Sequence, residues 1–149
     1  LALDLDKMAD KTYYHKIAIT IDFSKTDKLG ISGALSQGKK NAQYLLIHIV
    51  ESAGANMMGY ESLDNEAQSD MENLLNYKNQ LSSQGYSVDI KIGQGSPTKL
   101  IPEIVNEYQA DLLVMGAHGH QGLKDIIFGE TVDKVRHKIK IPVLIVKDE

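Results

Sequence analysis

Residues 111–131 read DLLVMGAHGHQGLKDIIFGET, running from Asp111 to Thr131. The nearly unbroken apolar run Asp111–Gly116 has the pattern of a strand covered on both faces, the mark of a parallel sheet. A loop carrying Gly116, Gly119 and Gly122 follows it, and Gly129 opens a helix-like segment. Glycines in that position let backbone N–H groups approach an anion with no Cβ in the way. Gly129 at the helix N-cap leaves the amides of Glu130, Thr131 and Val132 as free donors at the positive end of the helix dipole. Loop amides and helix end together make a phosphate cradle. The pattern differs from the nucleotide P-loop, which ends in Gly-Lys-Ser/Thr, and from a GxGxxG turn after a first strand.

Four more apolar runs predict strands, at Lys16–Asp22, Gln43–Val50, Ser87–Gly93 and Pro142–Lys147. Helical spacing fills the intervals. Lys28–Lys39 places Leu29, Ile31, Ala34 and Leu35 on one stripe. Ser62–Gln84 does the same with Leu63, Ala67, Met71, Leu74, Leu75 and Leu81, and Gly85 stands where a helix C′ glycine belongs. Leu100, Ile101, Ile104, Val105 and Tyr108 mark a third helix. An interior proline costs roughly 3 kcal/mol, so Pro102 predicts a start near Thr98. A fourth helix is expected over Glu130–Lys138, with Val132 and Val135 inward. Alternating strand and helix imply right-handed crossovers and an open five-stranded parallel sheet with helices on both faces. Ligands of such sheets bind beyond the C-terminal strand edges, which draws attention to residues 22–24, 49–52, 93–96 and 116–122. Residues 51–61 form a longer loop with the character of a lid.

The chain of 149 residues suits one domain. Residues 13–149 are taken as that domain and 1–12 as a leader or linker. With no cysteine, thiolate metal sites and disulfides are excluded and a cytoplasmic location is expected. The net charge of −4, with the two signs interspersed, argues against nucleic acid as a partner. No apolar run approaches the roughly 18–20 residues that span a bilayer, so no membrane insertion of this segment is expected.

The spacing Gly116-x2-Gly119-x9-Gly129 is similar to the nucleotide motif of the universal stress protein family. Residues 110–119 (ADLLVMGAHG) resemble its fourth-strand signature. Residues 19–24 (ITIDFS), 45–50 (LLIHIV) and 142–146 (PVLIV) resemble its first, second and last strands. The resemblance covers nearly the whole chain. It implies the sheet order 3-2-1-4-5 of the adenine nucleotide alpha hydrolase-like fold, and a homodimer paired through the strand at 142–147. It also implies a nucleotide site at Thr20, Ile21, Asp22, Ile49, Met115, Gly116, His118, Gly119, His120, Gly129, Glu130, Thr131 and Val132. There Asp22 contacts base or ribose, Ile49 and Met115 line the adenine pocket, and the glycines hold ribose and phosphates.

One departure stands out. The family places a hydroxyl residue after its last glycine, whereas this chain has Glu130 there, with the Thr131 hydroxyl displaced by one residue. A carboxylate near a γ-phosphate repels it unless a cation intervenes. The preferred reading of Glu130 is a first-turn acid that favours the helix dipole. AMP, ADP, ATP with a bridging Mg2+, another adenine ligand and an empty cradle all remain open. Asp22 reads as a ligand contact or loop cap rather than a catalytic acid, and His48 as a satisfied core residue. His118 and His120 lack a third partner for a metal. Lys124 reads as solvated, and Ser24-Lys-Thr26-Asp as the cap of the first helix.

The function expected is an adenine-nucleotide-binding regulatory or sensor domain. Two alternatives stand beside it. One is a nucleotide-free dimeric interaction module, including the regulatory end of a larger transporter. The other is a slow ATP hydrolase.

Overall fold

A computed structural model describes residues 2–6, 13–51, 60–116 and 126–147. Strand and helix alternate through them. The elements are β1 (Tyr14–Thr20), α1 (Thr26–Gln37), β2 (Gly38–Val50), α2 (Tyr60–Ser83), β3 (Ser87–Gln94), α3 (Pro97–Tyr108), β4 (Leu112–Gly116), α4 (Ile126–Lys138) and β5 (Val143–Val146). The five strands form one sheet in the order β3-β2-β1-β4-β5 with every pairing parallel, as expected. The order reverses between β1 and β4, whose register sets Ile17 beside Leu112 and Ile19 beside Val114.

Side chains of a strand alternate between faces, and here each face has its own core. Ala18, Leu45, Ile47, Leu113 and Met115 pack with Ile101, Ile104, Val105, Val132 and Val135, under α3 and α4. Ile17, Ile19, Leu46, Leu112 and Val114 pack with Ala34 and Leu74, under α1 and α2. Val132 and Val135 thus point inward as predicted.

Several boundaries differ from the sequence expectation. Helix α1 ends at Gln37, and Gly38 is already extended (φ −77°, ψ 141°), so β2 begins five residues before Gln43. The stripes of α1 and α2 are narrower than expected, since Leu29, Met71 and Leu75 are exposed. Gly85 does end α2 in a positive-φ conformation (φ 93°), with the Tyr86 amide donating to the Leu81 carbonyl.

Helix α3 starts at Pro97, which leaves Pro102 buried inside it rather than in its first turn. Pro102 has no N–H for the carbonyl four residues back, that of Thr98. The Lys138 ammonium donates to the Thr98 oxygen at 3.1 Å and replaces that bond. Helix α4 begins at Ile126, not Glu130. Gly129 therefore lies inside the helix instead of capping it. An interior glycine costs about 1 kcal/mol relative to alanine, too little to stop a helix. Residues 52–59, most of the expected lid, lie outside the described residues.

Candidate functional site

A cavity of about 380 Å³ opens where the strand order reverses, beyond the C-terminal ends of β1, β2 and β4. Such sheets bind their ligands there because adjacent crossovers diverge to opposite faces. Thr20, Ile21 and Asp22 reach the cavity from the end of β1, and Ile49 and Val50 from the end of β2. Met115 and Gly116 come from β4, Pro97 and Ile101 from α3, and Thr131 and Val132 from α4. Eight residues expected in the site thus meet in one space: Thr20, Ile21, Asp22, Ile49, Met115, Gly116, Thr131 and Val132.

A Cβ at Gly116 would lie 3.0 Å from Cγ2 of Thr26, close enough that the Thr26 side chain would have to give by a few tenths of an ångström. Thr26, in the first turn of α1, is 2% exposed, and its hydroxyl is buried without a partner among the described residues.

Glu130 behaves differently from the expectation. Its carboxylate is exposed and receives the Lys134 ammonium at 2.7 Å, one helical turn on. The Lys134 hydrogen bond, followed by its charge, pulls the Glu130 carboxyl below the usual range. Because α4 starts at Ile126, Glu130 falls in the second turn, and the first turn contains no acid. By i→i−4 pairing, the amides of Glu130, Thr131 and Val132 are used within the helix; its free donors lie nearer Ile126. Glu130 does not border the cavity, which Thr131 and Val132 do. His118, Gly119, His120 and Lys124 lie outside the described residues.

The loop between β1 and α1 carries a linked polar network. Asp22 is exposed at the cavity, and its Oδ1 accepts the Ser24 amide at 2.9 Å. The Ser24 hydroxyl takes the Thr26 amide at 3.3 Å, while the N-cap position itself falls to Lys25. Asp27, 4% exposed, folds back on this loop. Its Oδ1 accepts the Asp22 amide at 3.2 Å and its Oδ2 the Tyr77 hydroxyl at 3.2 Å. Burial pushes the Asp27 carboxyl up to about 7. The Asp22 amide draws it down, and the neighbouring Asp22 carboxylate raises it. Burial, then the Asp27 charge, pushes the Tyr77 hydroxyl up to about 12.

Phe23 sits in this loop with a left-handed backbone (φ 63°), unusual for a bulky residue. Its ring contacts that of His48 (centroids 4.6 Å apart) and stacks on Tyr77 at 6.1 Å. His48 is bonded at both ring nitrogens, Nδ1 to the Ile21 carbonyl at 2.7 Å and Nε2 to Asp70 at 2.9 Å. It is satisfied as expected, yet it also borders the cavity. Phe23 falls in the stretch 22–24 to which the sequence drew attention, whereas sequence reasoning missed Thr26, Asp27 and Asp70 as cavity neighbours. Asp70 gave no signal at all, being one polar residue among many on α2.

The model of the universal stress protein family matches residues 13–147. The chain belongs to that family. Universal stress protein MJ0577 of Methanocaldococcus jannaschii is 29% identical over 157 aligned positions, covering 90% of this chain and 95% of that one. The solved structure of MJ0577 superposes with a TM-score of 0.80 at 28% identity, over 91% of this chain and 97% of that one. A family protein from Arabidopsis thaliana, solved with AMP bound, gives 0.63 at 19% identity (91% and 92% covered). A universal stress protein in complex with cAMP gives 0.62 at 20% (90% and 97% covered). Those two likenesses establish the shared fold.

Proposed function

We propose that this protein is an adenine-nucleotide-binding regulatory or sensor domain. The observation that carries the reading is the cavity at the strand-order reversal, walled by the ends of β1, β2 and β4. Its volume of about 380 Å³ falls in the range of small-molecule sites, about 300–1,000 Å³. The half-buried Ile49 and the buried Met115 suit the faces of a purine. Asp22 at the rim suits a ribose hydroxyl or a base amine, both of which donate hydrogen bonds. The phosphates run from Gly116 toward the first turn of α4, with Gly119, Gly129 and the Thr131 hydroxyl as their expected contacts. AMP, ADP and ATP share this chemistry; a divalent ion such as Mg2+ arrives with the triphosphate. The family members solved with AMP and with cAMP support the reading.

Occupancy changes a surface that a partner reads, which makes the domain a sensor. Residues 13–149 form the domain, with 1–12 as leader or linker. Two copies pair through the edge at 142–147, and the protein resides in the cytoplasm.

Mass spectrometry of the denatured, freshly purified protein identifies any ligand carried through purification, and calorimetry with AMP and ATP measures affinity. An adenine nucleotide in the first experiment, or saturable heat in the second, is expected. Neither signal at any concentration up to millimolar would sink the reading. Thr131→Val is expected to weaken ATP several-fold more than AMP.

A further inference from the structure

Asp27 has no part in the nucleotide reading, yet it is a buried carboxylate beside the residue that reading depends on. Both its oxygens are engaged, by the Asp22 amide and the Tyr77 hydroxyl. The groups bearing on it are Asp22 from the loop before α1 and Tyr77 from α2. Behind Phe23 stands the His48–Asp70 pair from β2 and α2.

The two protonation forms of Asp27 do different things to Asp22. Ionised, Asp27 is an acceptor only; it holds the Asp22 amide and the Tyr77 hydroxyl, and it repels the Asp22 carboxylate. Neutral, it carries an O–H that needs an acceptor. The Asp22 carboxylate is the strongest acceptor nearby, carried by the same residue whose amide already meets Asp27 Oδ1 at 3.2 Å.

Resting on the nucleotide reading above, we infer that Asp27 is a positioning residue for that site. Neutral, it donates to the Asp22 carboxylate and withholds it from ribose or base; ionised, it frees Asp22 for the ligand while pinning the loop. Nucleotide binding then strengthens as pH rises and releases a proton from Asp27. The raised Asp27 value of about 7 puts this transition at neutrality. The competent fraction would be about one in eleven at pH 6 and about nine in ten at pH 8, so affinity should rise about tenfold.

The test is calorimetry on the full chain with cyclic AMP, whose phosphodiester does not titrate in this range. Wild type should bind about tenfold more tightly at pH 8 than at pH 6. Titrations at pH 7 in two buffers of different ionisation enthalpy should show proton release. Asp27→Asn, a permanent mimic of the neutral form, should bind weakly and equally at both pH values. Tyr77→Phe removes a bond that favours the ionised form, so its midpoint should move to higher pH. Should Asp27→Asn fail to fold, Tyr77→Phe and the buffer comparison still decide. Binding by wild type that ignores pH, or pH dependence that persists in Asp27→Asn, overturns the inference and leaves the nucleotide reading standing. No binding of cyclic AMP, AMP or ATP at any pH overturns both.

Discussion

Asp27 also leaves a signature in stability that needs no ligand. Its carboxyl titrates near 3.8 when unhindered and at about 7 in the fold, chiefly because burial disfavours its charge. Below 3.8 folded and unfolded chains both hold the proton, and the contribution of Asp27 to stability is complete. Between about 4 and about 7 the folded chain keeps a proton that the unfolded chain has lost, so stability falls as pH rises. Above about 7 the loss is complete. Asp27→Asn removes the loss, so its melting temperature relative to wild type should be higher at pH 8 than at pH 5. A differential of a few degrees is expected for a chain of this size, by thermal melts at both pH values. An equal offset at both would count against the buried acid. At this scale the sequence was partly legible. Asp22, Ile49 and Met115 could be found because each stands at the C-terminal end of a strand, a position set by local pattern. Asp27 could not, because in sequence it is an ordinary first-turn acid. Only Tyr77, fifty positions away, and the burial that comes with it give Asp27 its character.

Among the elements, α2 is the long one with few anchors. It runs for 24 residues, yet Leu74 is its fully buried apolar side chain among the described residues. Leu74→Ala should cost about 2–5 kcal/mol, read from denaturant midpoints by circular dichroism. A cost below about 1 kcal/mol would show that the site collapses around the lost side chain. Sequence periodicity overstated this helix, because Met71 and Leu75 follow the apolar spacing while facing solvent. It also misplaced the ends of α3 and α4. Propensity argued against Pro102 inside a helix and for Gly129 at a cap. Each penalty is a few kcal/mol at most, and tertiary contacts override it. Lys138 supplies the bond that Pro102 removes, from a helix 36 residues further along.

The fold as a whole was the most legible level, because five doubly covered strands leave few ways to build the sheet. Its two edges are β3 and the four-residue β5. Ile145 on β5 is 37% exposed, and an apolar edge strand is a ready template for a second copy. The proposed dimer predicts a solution mass of two chains by light scattering, reduced to one by Ile145→Asp. A wild-type monomer at tens of micromolar would refute pairing through this edge.

The left-handed turn at Phe23 ties these scales together mechanically. Its ring is wedged between β2 and α2, so the backbone of the cavity rim cannot move outward without prising that wedge loose. From α2, Asp70 holds His48 and Tyr77, seven residues on, holds Asp27. Both residues lie within the body of the 24-residue helix rather than at its ends, so the rim is tied to α2 where the helix is held against the sheet. A ligand that shifts the rim must therefore carry α2 with it or break the contacts made by Phe23, Asp70 and Tyr77.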